Sequence, residues 1–396
     1  MVYSFQNNKG MTLIEMLIVV TTISILFASF FYFWNTMDIF RKSRDSKRIN
    51  DLQLLDTALK TLLSTEKNIN LGEENIIYTS LPDSSSTCGN YNLLPLFPPY
   101  SYRCQTSDNY LKVDGQGWLP VNFTLGKILT ISVLPIDPLN NKDYFYAYQV
   151  RYGRYKLTAR FESQTNIIKM ANDGGFEPTL YEVGSDLFIP SPHSGLVGYW
   201  SFDENTGTIA YDLSGYGNNG TLYNFTGTSG WTTGKIGKAL NFDGADDYVE
   251  VTNVKGLSSG NMVHAISAWI KVNNLPINRA WILLLGQAGA GSHHWLINST
   301  GGTQFGVWNG GQLSPALPIG EWVHIVITFD GTTLKGYKNG FLFDKTSATF
   351  NFTSLPLTLA KAYLGENYFN GLIDELRIYN RPLSDTEIKA LYEATK

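Results

Sequence analysis

From Met11 to Trp34 the chain is almost wholly apolar, and as a helix this run is long enough to cross a hydrocarbon core of about 30 Å. The pattern then turns amphipathic. Ile49, Leu52, Leu55, Leu59 and Leu62 recur at three- and four-residue steps, with Arg48, Asp51, Asp56 and Lys60 elsewhere around the helix. The two patterns predict one continuous helix over 11–64, whose outer half needs a sheet to cover its leucines. From about Leu71 to Phe188 short aromatic strands alternate with Pro, Gly, Asn and Asp. Asp137-Pro138 and Asn140-Asn141 make a turn, after which Tyr144, Tyr146 and Tyr148 share one face of a strand. A second strand, with Tyr155, Leu157, Ala159 and Phe161 on one face, returns through Gly153 as a hairpin. Residues 189–195, IPSPHSG, read as a Pro- and Ser-rich linker.

Beyond Gly195 strands and Gly/Asn turns continue for about two hundred residues, which predicts an antiparallel sandwich. In EWVHIVITFD, Val323, Ile325, Ile327 and Phe329 form the core-facing set, with Trp322, His324, Val326 and Thr328 opposite. Asp330-Gly331 and Asn339-Gly340 are turn pairs flanking the next strand. A helix pattern returns only at the end, where Ser384 and Glu387 have capping-box spacing.

Composition narrows the class. Only 16% of the 396 residues are charged, 14% are aromatic and 37 are Gly, as in β-rich exported domains. A net charge of −4 gives no sign of a nucleic-acid partner. The two cysteines, Cys88 and Cys104, either close a surface loop in an oxidising compartment or are two unrelated thiols.

Glu15 is the one charge inside the apolar run, and a carboxylate there costs at least about 2–3 kcal/mol in lipid. Lys9 and Gly10 precede the run, which reads KGMTLIEMLIVV. This stretch resembles the signal of type IV pilins and of type II secretion pseudopilins. The resemblance implies cleavage by a prepilin peptidase between Gly10 and Met11 and methylation of Met11. It also implies that Glu15 neutralises the Met11 amine of a neighbouring subunit. The bulky end of the run, FYFWNTMD, offers no signal-peptidase site. Arg41, Lys42, Arg44, Lys47 and Arg48 follow the span, against the positive-inside tendency for the expected orientation with the N-terminus inside. The middle segment is similar to the pilin-like head, in whose loops Asp137, Asn140 and Asp143 either hold calcium or cap turns.

The C-terminal pieces GLVGYWSFDENTGTIAYDLSGYGNNGTL, GKALNFDGADDYVEV, AISAWIK, EWVHIVITFDGTTLKGYKNG and FNGLIDELRIYNRPLSDTEI resemble the concanavalin A-like, laminin G-like jelly rolls. That family implies two curved antiparallel sheets, a structural calcium and a glycan- or protein-binding role. Asp203, Asp243 and Asp374 are the calcium candidates. Trp281, Trp295 and Trp308 are the candidates for stacking on a ligand. Catalysis is not expected. Glycoside hydrolysis needs two carboxylates facing one cleft, and the adjacent acids Asp374-Glu375 and Asp246-Asp247 point to opposite faces of a regular strand. His293-His294 read as part of a Gly/Ser loop.

The fold expected is therefore an α+β pilin-like N-terminal part, a long spine helix plus a small antiparallel sheet, followed by an all-β jelly-roll sandwich. Its divisions are a leader (1–10), spine helix (11–64), head (65–188), linker (189–195) and sandwich (196–396). The function expected is that of a bacterial pilin-like subunit which starts in the inner membrane and ends in an extracellular filament. There it displays a lectin-like domain for adhesion, with other pilin subunits, the prepilin peptidase, the bilayer and a glycan or surface protein as partners. A membrane-anchored surface lectin and a secretion pseudopilin engaging cargo are the alternatives.

Overall fold

A computed structural model describes residues 12–396 except 97–98, 126–130, 176, 227–229, 288, 290, 309 and 362–367. The side chains at 25, 26, 28–37, 164 and 167 are also outside the description. Helix α1 runs from Leu13 to Thr65 and opens with a capping box between Thr12 and Glu15. Its two halves differ. Leu13, Ile14, Leu17 and Ile18 are exposed, whereas Leu52, Leu55, Leu59 and Leu62 are buried. Among the described residues no helix is long and apolar enough to cross a membrane.

The buried half of α1 lies on a five-stranded sheet of order β2-β1-β3-β4-β5. Its strands are β1 (Ile76–Pro82), β2 (Ser101–Gln105), β3 (Ala147–Arg151), β4 (Arg154–Ala159) and β5 (Tyr181–Gly184). The expected hairpin is β3–β4, and Tyr146, Tyr148, Tyr155, Leu157, Ala159 and Phe161 all join the core under the helix. The sheet is mixed rather than antiparallel, because β1 and β2 pair in parallel through a long connection. Cys88 of that connection forms a disulfide with Cys104 of β2, buried against Leu81. A short helix, α2 (Ile167–Ala171), precedes β5.

The C-terminal part is a sandwich of two eight-stranded sheets. The first is built mainly from β6 (Leu196–Trp200), β9 (Gly230–Thr233), β10 (Lys238–Asp243), β12 (His264–Val272), β17 (Trp322–Phe329), β18 (Thr333–Lys338), β19 (Phe341–Ser347) and β21 (Asn370–Tyr379). The second contains β7 (Ile209–Ala210), β8 (Gly220–Tyr223), β11 (Tyr248–Val251), β13 (Arg279–Leu285), β14 (His293–Asn298), β15 (Thr303–Val307), β16 (Gln312–Leu313) and β20 (Leu357–Leu359). Val323, Ile325, Ile327 and Phe329 face the core between them, as the alternation predicts. The opposite face of β17 is buried too. Helix α3 (Asp385–Thr395), capped by Ser384 and Glu387, covers it with Ile388 and Leu391. No helix covers the outer face of the second sheet among the described residues.

Head and sandwich pack together. Ser191, Pro192, His193 and Ser194 of the expected linker are buried in a 3-10 turn, so the segment is an interface rather than a free tether. Gln149 donates to the Pro190 carbonyl at 2.9 Å, and Tyr379 donates to Glu177 at 3.2 Å. Ala390 of α3 belongs to the core of the head.

Candidate functional site

The uncovered face of the second sheet collects aromatic rings. Strand β13 carries a bulge between Trp281 and Leu283. Ile282 and Leu283 both face the core, while Trp281 and Leu284 pack on the other side. Trp308 follows β15, donates its backbone N–H to the Ser292 carbonyl at 3.2 Å, and lies over Trp281. The two indoles stack at 5.1 Å and 19°, and His294 sits edge-on to both at 5.5 and 5.4 Å. Neither ring nitrogen of His294 has a hydrogen-bond partner, and burial lowers its pKa to about 4. Tyr368 bridges to Trp281 from the loop before β21.

Two strands away Tyr223 and Tyr248 stack at 4.6 Å and 12°, with the Lys361 ammonium 3.7 Å from the Tyr248 ring centre. Between the two aromatic pairs the register lays out Thr221, Glu250, Thr358, Leu284 and His294 in a row across the sheet. Rings flanking the polar side chains of Thr221, Glu250 and Thr358 can take the apolar face of a sugar and hydrogen-bond its hydroxyls. The tyrosine pair and Lys361 carried no signal in the sequence beyond an alternation placing Tyr248 and Glu250 opposite Val249 and Val251.

Trp295 does not join this face. It is fully buried in the core, stacks on Phe305 at 5.0 Å, and donates from its indole to His293 Nε2 at 3.0 Å. His293 and His294 are strand residues of β14 rather than loop residues. His293 Nδ1 also meets His264 Nε2 at 2.7 Å, so the pair is a satisfied core network held neutral by burial.

The three calcium candidates separate into two places. Asp374 accepts from the backbone N–H groups of Lys235 and Ile236 at 2.8 and 3.0 Å, and Asp203 accepts from Lys238 N at 2.7 Å. Both therefore brace the turn between β9 and β10. Asp374 Oδ1 is buried without a partner, and burial, together with the charge of Glu375, raises the carboxyl to about 8. Asp243 lies at the far end of β10, paired with Asn370, about 13 Å along the strand from the position opposite Asp374. It cannot share a cation with the other two. Its neighbours are Asp246 and Asp247, with carboxylate oxygens all within 4.8 Å. There Asp247 accepts from Asp243 N and Asp243 from Ala245 N, as turn caps. In the head, Asp137 is bound by Arg48 and caps Leu139, which separates it from Asn140 and Asp143 as a calcium set.

Asp374 and Glu375 do not point to opposite faces. Glu375 has a φ of +52° at a bulge in β21, so the alternation breaks there. Both carboxylates lie on the face covered by α3, where Glu375 accepts from Tyr199 Oη at 2.9 Å and pairs with Arg377 at 2.8 Å. Glu375 is thereby paired, while Asp374 keeps one buried oxygen without a hydrogen-bond partner.

Gly10 and Met11 lie outside the described residues. Glu15 Oε2 accepts from Thr12 N at 2.8 Å and from Thr12 Oγ1 at 3.0 Å, so its carboxylate caps its own helix. Of the basic run, Arg44 pairs with Glu162, Lys42 with Asp38, Lys47 with Asp51, and Arg48 with three carboxylates. Most of that positive charge is therefore paired within the protein.

Residues 243–389 match the family model of the concanavalin A-like lectin/glucanases superfamily. No curated protein matches the chain. Among solved structures, domain 4 of the extracellular arabinanase AbnA of Geobacillus stearothermophilus, in complex with arabinotriose, is 24% identical. It covers 51% of this chain and 98% of its own, at a TM-score of 0.39. A Trypanosoma rangeli sialidase is 12% identical over 63% of this chain and 48% of its own, at 0.41. A botulinum neurotoxin type C structure is 16% identical over 51% and 52%, at 0.42. The C-terminal sandwich is thus similar to the concanavalin A-like lectin/glucanases superfamily over residues 243–389.

Proposed function

We propose that the chain is a glycan-binding subunit, its jelly roll carried on a type IV pilin-type helix for display outside the cell. The observation that carries the binding half is the Trp281–Trp308 stack, whose outer ring, Trp308, is part-exposed on a sheet face that no described helix covers. Sugar rings stack on such platforms through dispersion and CH–π contact. A glycan array probed with the whole chain, wild type and Trp308→Ala, tests it. Binding to a defined glycan class that the variant loses supports the reading, and equal binding by both overturns it.

The pilin half rests on the KGMTLIEMLIVV stretch and on a helix of 53 residues whose first turns leave their apolar side chains unpacked. A structural calcium belongs to the same reading. Asp203 and the unpartnered oxygen of Asp374 would hold it, and the ion would neutralise buried charge and pin the β9–β10 turn. Mass spectrometry of the protein from its native membrane tests the assembly route. A chain starting at methylated Met11 supports the filament pathway. An intact Met1 leaves a tethered surface lectin instead.

A further inference from the structure

A cleft of about 610 Å³ separates the head from the sandwich, and its volume suits a ligand of two or three sugar rings. Tyr102, Tyr144 and Phe145 line it from the head. At its floor Arg160 of the head and Arg381 of the sandwich share one carboxylate, that of Glu387. Arg381 takes both oxygens, at 3.1 and 2.8 Å, and Ser384 donates twice more to Oε2, at 2.9 Å each. Arg160 Nε is left 3.2 Å from Oε1 with no directed hydrogen bond. Burial and the neighbouring Arg381 charge both push the Arg160 pKa down, as expected of a guanidinium short of a counter-ion.

The other contact of Arg160 is to a neutral group, its Nη1 donating to the Asp143 backbone carbonyl at 3.3 Å, and the Asp143 carboxylate adds only a small attraction. Lys142 pairs with Asp143 at 2.8 Å, and Lys335 faces Asp330, so the lining holds four cations against three carboxylates. His193 adds a buried ring whose Nδ1 has no partner, while its Nε2 meets Thr158 Oγ1 at 2.9 Å. The cleft thus offers one uncompensated positive charge beside a wall of rings. A charge-assisted hydrogen bond to a planar guanidinium is the strong way to complete it, and a carboxylate is the matching acceptor.

We propose that this cleft binds an acidic saccharide, its carboxylate on Arg160 and its ring against Tyr102, Tyr144 and Phe145. This deepens the glycan-binding reading and rests on it, but at a site apart from the Trp308 face. Isothermal titration of the full chain tests it, with disaccharides carrying glucuronate, galacturonate or N-acetylneuraminate and with their neutral counterparts. Arg160→Gln, the rim variant Lys335→Gln and Trp308→Ala are titrated beside the wild type, each checked for an unchanged melting temperature.

The expected result is binding of at least one acidic sugar. Arg160→Gln weakens it by about tenfold or more, Lys335→Gln weakens it less, and Trp308→Ala leaves it in place. Acidic-sugar binding that Trp308→Ala abolishes and Arg160→Gln spares overturns the cleft and keeps the glycan reading. So does binding of neutral sugars alone. Binding of neither class overturns both.

Discussion

Arg48 and Asp137 stand 89 positions apart in the chain and meet fork to fork, Nε to Oδ2 at 2.6 Å and Nη2 to Oδ1 at 2.9 Å, with neither side chain reaching solvent. Asp45 and Glu162 take the two Nη1 hydrogens at 2.8 and 2.6 Å. Burial alone would lower the Arg48 pKa, but Asp137 and Glu162 more than offset it and hold it above its ordinary value. The exposed half of α1 leads directly into this network, so the pair fixes the direction in which the helix leaves the head.

Removing one partner of such a network strands a buried charge. Asp137→Ala is expected to cost roughly 3–5 kcal/mol, seen as a lower urea midpoint for the whole chain. An unfolding free energy that falls by less than a tenth of that would mean Arg48 is satisfied by Asp45 and Glu162 alone.

Trp308 and Trp295 should separate by phenotype. Trp308 is half-buried at the surface of the second sheet, so Trp308→Ala is expected to abolish glycan binding at that face, and not in the cleft, with a stability change of about 1 kcal/mol or less. Trp295 is sealed in the core, and Trp295→Ala is expected to cost roughly 3–5 kcal/mol whatever it does to binding. Paired measurements of melting temperature and sugar affinity on both variants decide it.

What the sequence made legible was periodicity. The leucines of α1, the alternation of β17 and the Ser384–Glu387 cap each predicted an element and the face it buries. What it hid was set by breaks in periodicity and by tertiary cover. The bulge at Glu375 reverses the inference that adjacent acids diverge, and nothing short of the backbone φ reveals it. His324 stands opposite an apolar face, as the alternation says, yet it is buried because α3 folds back over it. Trp281 and Trp308 lie 27 positions apart and meet only because β14 and β15 pair beside β13. The Pro- and Ser-rich composition of 189–195 looked like a tether because composition does not register the docking of two domains.

The β9–β10 turn offers a test for the metal. If Asp374 Oδ1 and Asp203 hold calcium, adding the ion at about 100 times its dissociation constant should stabilise the chain by roughly 2.7 kcal/mol. Chelator should reverse the gain, and Asp374→Asn should remove the response while Asp243→Asn keeps it. Calcium stabilisation lost in Asp243→Asn and retained in Asp374→Asn would move the ion to the far end of β10.

Acid should weaken this protein through its histidines. All five are buried; burial lowers His264 and His294 to about 4, His193 and His324 to about 3, and His293 well below its ordinary value. A base whose folded pKa is depressed is protonated first in the unfolded chain. Stability from each is therefore complete above about pH 6.5 and is lost as pH falls toward the folded value. Asp173, raised to about 8 by burial and by Glu182, works in the opposite sense, since the folded state then keeps a proton that the unfolded chain releases. Asp374, also raised to about 8, and Asp45, Glu182 and Glu204, raised by burial, act in the same sense as Asp173, so the histidine contribution between about pH 6 and 4 is read by removing one histidine at a time. His324→Gln keeps a side chain able to bond Ser267 and removes one titrating group. It should flatten the slope in that window by about 1.4 kcal/mol per pH unit, one proton's worth. Urea titrations at half-unit steps read this directly, and an unchanged slope would mean that His324 is reached by solvent before the chain unfolds.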